Sequence, residues 1–152
     1  MRLNLFTDYC LRTLIYLGTH RDLATRAEIA RAYGISDNHL MKVVHWLAQH
    51  GYIDSMRGKG GGIRLNRPAT EINIGELVRA SEAGTWLVEC FEPGQERCRI
   101  ERACQLRYVL REALQAMYAV LDGYHLSDLV QEPASLLALL EPENTFAFET
   151  PA

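Results

Sequence analysis

Three of the chain's four cysteines, Cys90, Cys98 and Cys104, fall within the fifteen-residue stretch CFEPGQERCRIERAC at a C-x7-C-x5-C spacing. Thiols packed this densely suit a soft metal. Zinc in a structural site takes four protein ligands, usually delivered as close C-x2-C pairs, and no such pair exists here. An iron-sulfur cluster tolerates wider, uneven spacing and can take its last ligand from elsewhere. Pro93 and Gly94 put a turn inside the first gap, which is expected to fold the loop back and aim the three sulfurs inward. Arg97, Arg99 and Arg102 stand among the sulfurs, where their charge would partly offset that of a thiolate-bound cluster. The competing reading is three semi-buried thiols with no ligand at all. The remaining cysteine, Cys10, falls inside an apolar helical pattern and reads as a small core filler.

What must position this loop is a long helix behind it and a small domain before it. Leu106, Leu110, Ala113, Met117 and Val120 recur at alternating spacings of four and three, a heptad-like seam on about five helical turns. The small N-terminal domain has little core to offer so long a helix, so a two-fold dimer across the seam is expected. Ahead of the loop, residues 4–19 predict a helix that Asn4 or Thr7 caps, with Asp8 in its first turn. A shorter helix over Arg26–Tyr33 is closed by Gly34, and Ser36 caps a third from Asp37 to His50. Two helices joined by a glycine-containing turn make the helix-turn-helix pattern.

In the third helix Leu40, Val43, Val44 and Leu47 form the inward stripe, leaving Asn38, His39, Lys42, His45 and Gln49 outward. Such a face suits base edges and phosphates, although a solvated polar surface has the same composition. The next stretch favours DNA. Tyr52–Met56 and Ile63–Leu65 read as two short strands around RGKGGG, a hairpin tip where Arg57 and Lys59 supply charge and Gly60 and Gly61 permit close backbone approach. A nucleotide-binding phosphate loop fails here, because no Ser or Thr follows Lys59 and the glycine spacing is wrong. The fold class is therefore mainly α with a β-hairpin wing: a winged helix-turn-helix over 1–67, a loop and dimerisation helix over 68–131, and a loose tail over 132–152.

Bulk numbers agree with that division. The 152 residues suffice for one good core, and the net charge of −3 hides an asymmetry. Residues 1–67 carry ten Lys and Arg against five Asp and Glu, whereas 68–152 carry six against fourteen, so the basic half is the one suited to a polyanion. The apolar N-terminus is interrupted by Asp8 and Arg12 and lacks a cleavage site, and no run reaches membrane-spanning length. A cytoplasmic protein without a membrane partner is expected, with reduced cysteines. No acid-base pair stands beside the cysteines and no nucleotide loop exists, which argues against an enzyme.

Taken together, FTDYCLR at 6–12, RGKGGGIRL at 57–65 and the cysteine triple resemble the NsrR/IscR family of winged-helix iron-sulfur transcription regulators, and within it the nitric-oxide-sensing repressors. The resemblance covers residues 2 to about 130. It implies a homodimer on a palindromic operator in double-stranded DNA, with one iron-sulfur cluster per subunit, 4Fe-4S or alternatively 2Fe-2S. By the same resemblance Cys90, Cys98 and Cys104 would be ligands, Asp8 of the other subunit the fourth, and nitric oxide the signal. Two departures stand out. The seven-residue gap between Cys90 and Cys98 is longer than the family's usual one, and Arg107 replaces the histidine of IscR-like members. A guanidinium cannot ligate iron, which disfavours an IscR-like site and an IscR-like role as reporter of iron-sulfur status. A zinc- or thiol-based regulator using the same three cysteines is the alternative of different chemistry.

Overall fold

The computed structural model describes residues 3–20, 22–56, 58, 60–94 and 98–140; Arg57, Lys59, Arg97 and the stretch 141–152 lie outside the described residues. Helix α1 (Leu5–Thr19) starts where the Asn4 side chain accepts from the Thr7 N–H at 2.7 Å. Its buried face, Cys10, Leu14, Tyr16 and Leu17, meets two further helices, α2 (Arg26–Tyr33) and α3 (Asp37–Gln49). A capping box opens α2, the Thr25 hydroxyl accepting from Glu28 N–H while the Glu28 carboxylate accepts from Thr25 N–H at 2.6 Å. Gly34 closes it with φ 62°, a left-handed conformation that costs glycine little. Ser36 then caps α3, whose Leu40, Val43 and Leu47 are fully buried, while Val44 is only half-buried at the edge of the stripe.

The wing follows as an antiparallel pair, β1 (Ile53–Met56) and β2 (Gly62–Leu65), in the register Ile53 to Leu65 and Ser55 to Ile63. A third strand-like contact fixes its root. Ala24 N–H donates to Ile63 O at 3.0 Å and Ile63 N–H returns a bond to Ala24 O at 2.7 Å. Asn73 caps α4 (Ile74–Ser81), which packs against α1 and against the long α5 (Gln105–Asp122). The apolar core therefore runs on past residue 67, through Ile72, Ile74, Leu77, Val78 and Leu126. Short α6 (Leu126–Leu129) packs on α1.

Two elements depart from their sequence reading or sharpen it. The segment expected as a loose tail forms α7 (Pro133–Leu140) and lies against α1, with Leu140 packed on the core. Proline suits a first helical position, and the SLLALL run supplies the apolar face that docks. Helix α5 has no buried residue along its 18 positions; Leu106, Tyr108, Val109 and Val120 are each 58–63% exposed. An amphipathic helix left this bare presents an apolar stripe that a partner surface could cover.

Candidate cluster loop and nucleic-acid face

The outward side of α3 presents Asn38, His39, Lys42, His45 and Gln49 to solvent. Asp37 is the one carboxylate on α3, and Arg26 of α2 pairs with it at 2.7 Å, which mutes its repulsion of a polyanion. Ser36 and His39 are also linked side chain to side chain, hydroxyl to Nδ1 at 3.0 Å, so the first turn of α3 is ordered from within. The Tyr9 ring of α1 stands 6.0 Å from the His39 ring, putting the helix that carries Asp8 in direct contact with this turn.

At the wing, Gly60 has φ 82° and Gly61 N–H bonds Gly58 O at 2.9 Å. A Cβ at Gly61 would run into the Met56 carbonyl oxygen, so the tight tip demands glycine there. Gly62 sits against Leu23, where a Cβ would come within 2.9 Å of its Cβ and press on the wing's root. One basic residue near the wing went unread in the sequence. Arg67 lies over the Tyr52 ring at 4.5 Å and donates to His50 O at 3.5 Å, bracing the strand exit against the end of α3.

The cysteine loop leaves α4 at Glu82 and is built from local turns. Thr85 N–H bonds Glu82 O, Phe91 bonds Val88, Glu92 bonds Glu89, Glu101 bonds Cys98 and Cys104 bonds Glu101, all three residues apart. Cys90 and Cys104 are half-buried and Cys98 is exposed, all as free thiols. The structure does not bring them together: among the described residues no three His, Cys, Asp or Glu side chains converge to hold a metal ion, and Asp8 joins no pair of the cysteines. The expectation that the Pro93-Gly94 turn folds the loop back and aims the three sulfurs inward is not met among the described residues. Each cysteine sits on a separate local turn, and turns of this kind fix neighbours without fixing distant sulfurs. An open cavity of about 740 Å³ lies between the end of α4, the loop and α5, lined by Trp86, Phe91, Leu114 and Met117 among others.

The chemistry of the donor set nevertheless fits a thiolate-held cluster. Cys104 occupies the N-cap position of α5, makes no side-chain cap there, and the first turn of α5 holds no acidic residue. The open N–H groups and dipole of an 18-residue helix favour negative charge at that point. Assembly of the three sulfurs would be coupled to binding of such a group, as in many small metal sites. Arg107, one turn on, is taken up by Glu101 at 2.8 Å and is no ligand. Asp8 pairs with Arg12 at 2.9 Å; their side chains remain 37% and 44% exposed respectively. Cys10 is wholly buried and desolvation pushes its thiol up to about 12, so it is a packing residue without reactivity.

A helix-turn-helix backed by a glycine-tipped hairpin defines a winged-helix regulator of the DNA-binding kind. The Rrf2 family model, described as an iron-dependent transcriptional regulator, matches residues 3–132. The chain belongs to the Rrf2 family. It is 48% identical over 143 residues to the HTH-type transcriptional regulator NsrR of Bacillus subtilis (strain 168), covering 93% of this chain and 98% of that one. It is 46% identical to the protein of the same name from Oceanobacillus iheyensis, covering 92% and 97%. Among solved structures, the oxidized form of Staphylococcus aureus CymR superposes with a TM-score of 0.67 at 27% identity, covering 85% of this chain and 95% of that one. The T. potens IscR shares the fold with a TM-score of 0.68 at 20% identity, covering 87% and 88%. The role of such a chain is regulatory and non-enzymatic. Among the described residues no helix is long and apolar enough to cross a membrane.

Proposed function

We propose that this protein is a cytoplasmic, homodimeric repressor that holds double-stranded operator DNA while an iron-sulfur cluster is intact and releases it when nitric oxide attacks. The observation that carries the reading is the set of three free thiols on one locally bonded loop that opens α5, in a chain 48% identical to an NsrR regulator. Cys90, Cys98 and Cys104 would hold the cluster, with Asp8 of the partner subunit as fourth ligand. When bound, the cluster supplies the iron at which nitric oxide reacts, and 4Fe-4S suits the ligand set better than 2Fe-2S because Arg107 stands where the histidine of a 2Fe-2S site would be. The bare apolar seam of α5, Leu106, Val109 and Val120 foremost, would pair with its copy and set two α3 helices on the half-sites of a palindrome. Ser36 orders the first turn of α3, Asn38 and His39 address base edges, and Lys42 together with Arg57, Lys59, Gly60 and Gly61 of the wing engages phosphate or the minor groove.

A second reading, a zinc- or thiol-based regulator, is favoured by the exposure of Cys98 and by thiols that do not converge unaided. One experiment separates the two. Protein purified without oxygen should be brown, with broad visible absorbance that collapses on stoichiometric nitric oxide while DNA binding falls in parallel. A colourless protein whose DNA binding follows added zinc or oxidant would establish the second reading and sink the first.

A further inference from the structure

Glu82, the residue at which the cysteine loop leaves α4, is bonded across the fold to the start of α1. Its Oε1 accepts from the Asn4 backbone N–H at 2.8 Å, and the Asn4 side-chain amide donates to Ser81 O at 3.4 Å. Asn4 is the cap of α1, so one side chain ties the first residue of the loop to the helix that carries Asp8 and touches α3 through Tyr9. Helix α4 is held to the end of α5 from both of its ends, through Asn73 at its start and Arg79 in its last turn. Asn73 donates to Asp122 O at 2.7 Å, and Arg79 grips the Asp122 carboxylate with both terminal nitrogens while lying 4.6 Å over the Tyr118 ring. Gly75 makes room for this lock, since a Cβ there would overlap the Asp122 carboxylate. With α4 pinned to the end of α5, a rearrangement of the loop between them is not absorbed by sliding of α4. It arrives at Glu82.

We propose that Glu82 is a positioning residue that passes the state of the cysteine loop to the DNA-binding domain within one chain, through Asn4 and α1 to α3. The proposal rests on the cluster reading above but uses a different path from the partner subunit's Asp8, since every residue of this path belongs to the chain that owns the loop. A carboxylate is the fitting acceptor, because the N–H groups at a helix start carry partial positive charge.

The test compares cluster-loaded with cluster-free full-length protein on a DNA fragment that the loaded parent selects from a random pool. Glu82→Ala should cut the ratio of loaded to cluster-free affinity by about tenfold, an ordinary size for coupling between sites. Its visible spectrum and cluster content should match the parent's. Glu82→Gln, which keeps an oxygen acceptor at the same reach, should keep the ratio, and Glu82→Asp, one methylene short, should lose it. A purely structural role would lower stability and leave the ratio alone. A large parental ratio that Glu82→Ala and Glu82→Asp both leave unchanged overturns this proposal only. A parent that binds DNA equally with and without its cluster overturns the cluster reading and this proposal with it.

Discussion

Cys10 and Cys98 are the same side chain in opposite surroundings, one wholly buried and the other exposed. With its thiol pushed up to about 12, Cys10 at pH 8 is thiolate in roughly one molecule in ten thousand, and the thiolate is the nucleophile. Iodoacetamide applied to folded, cluster-free protein should therefore label Cys98 within minutes and leave Cys10 unlabelled until denaturant is added, as read by peptide mass spectrometry. Equal labelling rates would show that Cys10 is not the core residue described. On the α3 face the chemistry divides by side chain. Lys42→Ala should weaken binding across all sequences and reduce the slope of log affinity against log salt by about one, the signature of a lost phosphate contact. Asn38→Ala should instead relax preference at one base position, so a salt slope that moves for Asn38 and not for Lys42 reverses the assignment. Residue roles set by near neighbours were legible in the sequence: Asn4 and Ser36 cap because a side-chain oxygen three residues ahead of an N–H is a local rule. Glu82 meets Asn4 across 78 residues of chain, and no local rule reaches that far.

At the scale of elements, α2 depends heavily on its cap, since it has eight residues and a single buried one, Ile29. Thr25→Ala should cost about 0.5–2 kcal/mol in urea unfolding. The other half of the box is pH-sensitive. Hydrogen bonds from the Thr25 backbone and hydroxyl hold the Glu28 carboxyl below its ordinary value, so it ionises more readily folded than unfolded. Its contribution is complete above the ordinary carboxylate range near pH ~4.3 and is lost as pH falls through the lower folded value. The stability difference between parent and Glu28→Ala should therefore be constant at neutral pH and vanish in acid; a difference that grows in acid would contradict the box. Helix boundaries marked by caps and glycines matched the sequence reading to within a residue or two. The fate of 133–140 did not, because a short run of leucines and alanines lacks the polar contrast that announces a buried face. Its docking site on α1 exists only in three dimensions.

Across the whole molecule, the sequence named the thiols of the candidate site and left their assembly open, since spacing along a chain does not fix distances between turns. The same limit applies to Asp8, whose proposed role as a ligand would span two subunits. In the single chain its carboxylate is held by Arg12, but both side chains are more than a third exposed, and an ion pair of that kind is worth only about 0–1 kcal/mol. Exchanging Arg12 for iron on the partner subunit would therefore cost α1 little. A carboxylate oxygen is a harder donor than thiolate and a poorer match to a cluster, which would make its iron the point of entry for nitric oxide. Because Asp8 sits in the first turn of a helix that contacts α3, its bond would also hold each DNA-binding domain against the opposite loop and fix the spacing of the two α3 helices. Shifting a two-state equilibrium from about 1:99 to 99:1 takes roughly 5.5 kcal/mol of differential stabilisation, which two symmetric ligand bonds can supply. Asp8→Ala should accordingly keep the visible absorbance of a cluster on Cys90, Cys98 and Cys104 yet bind operator DNA weakly, while Asp8→Cys should react with nitric oxide more slowly than the parent in stopped-flow absorbance. An Asp8→Ala protein that keeps its cluster and binds DNA as tightly as the parent would remove the clamp between subunits and leave the path through Glu82 as the one by which the loop reaches α3.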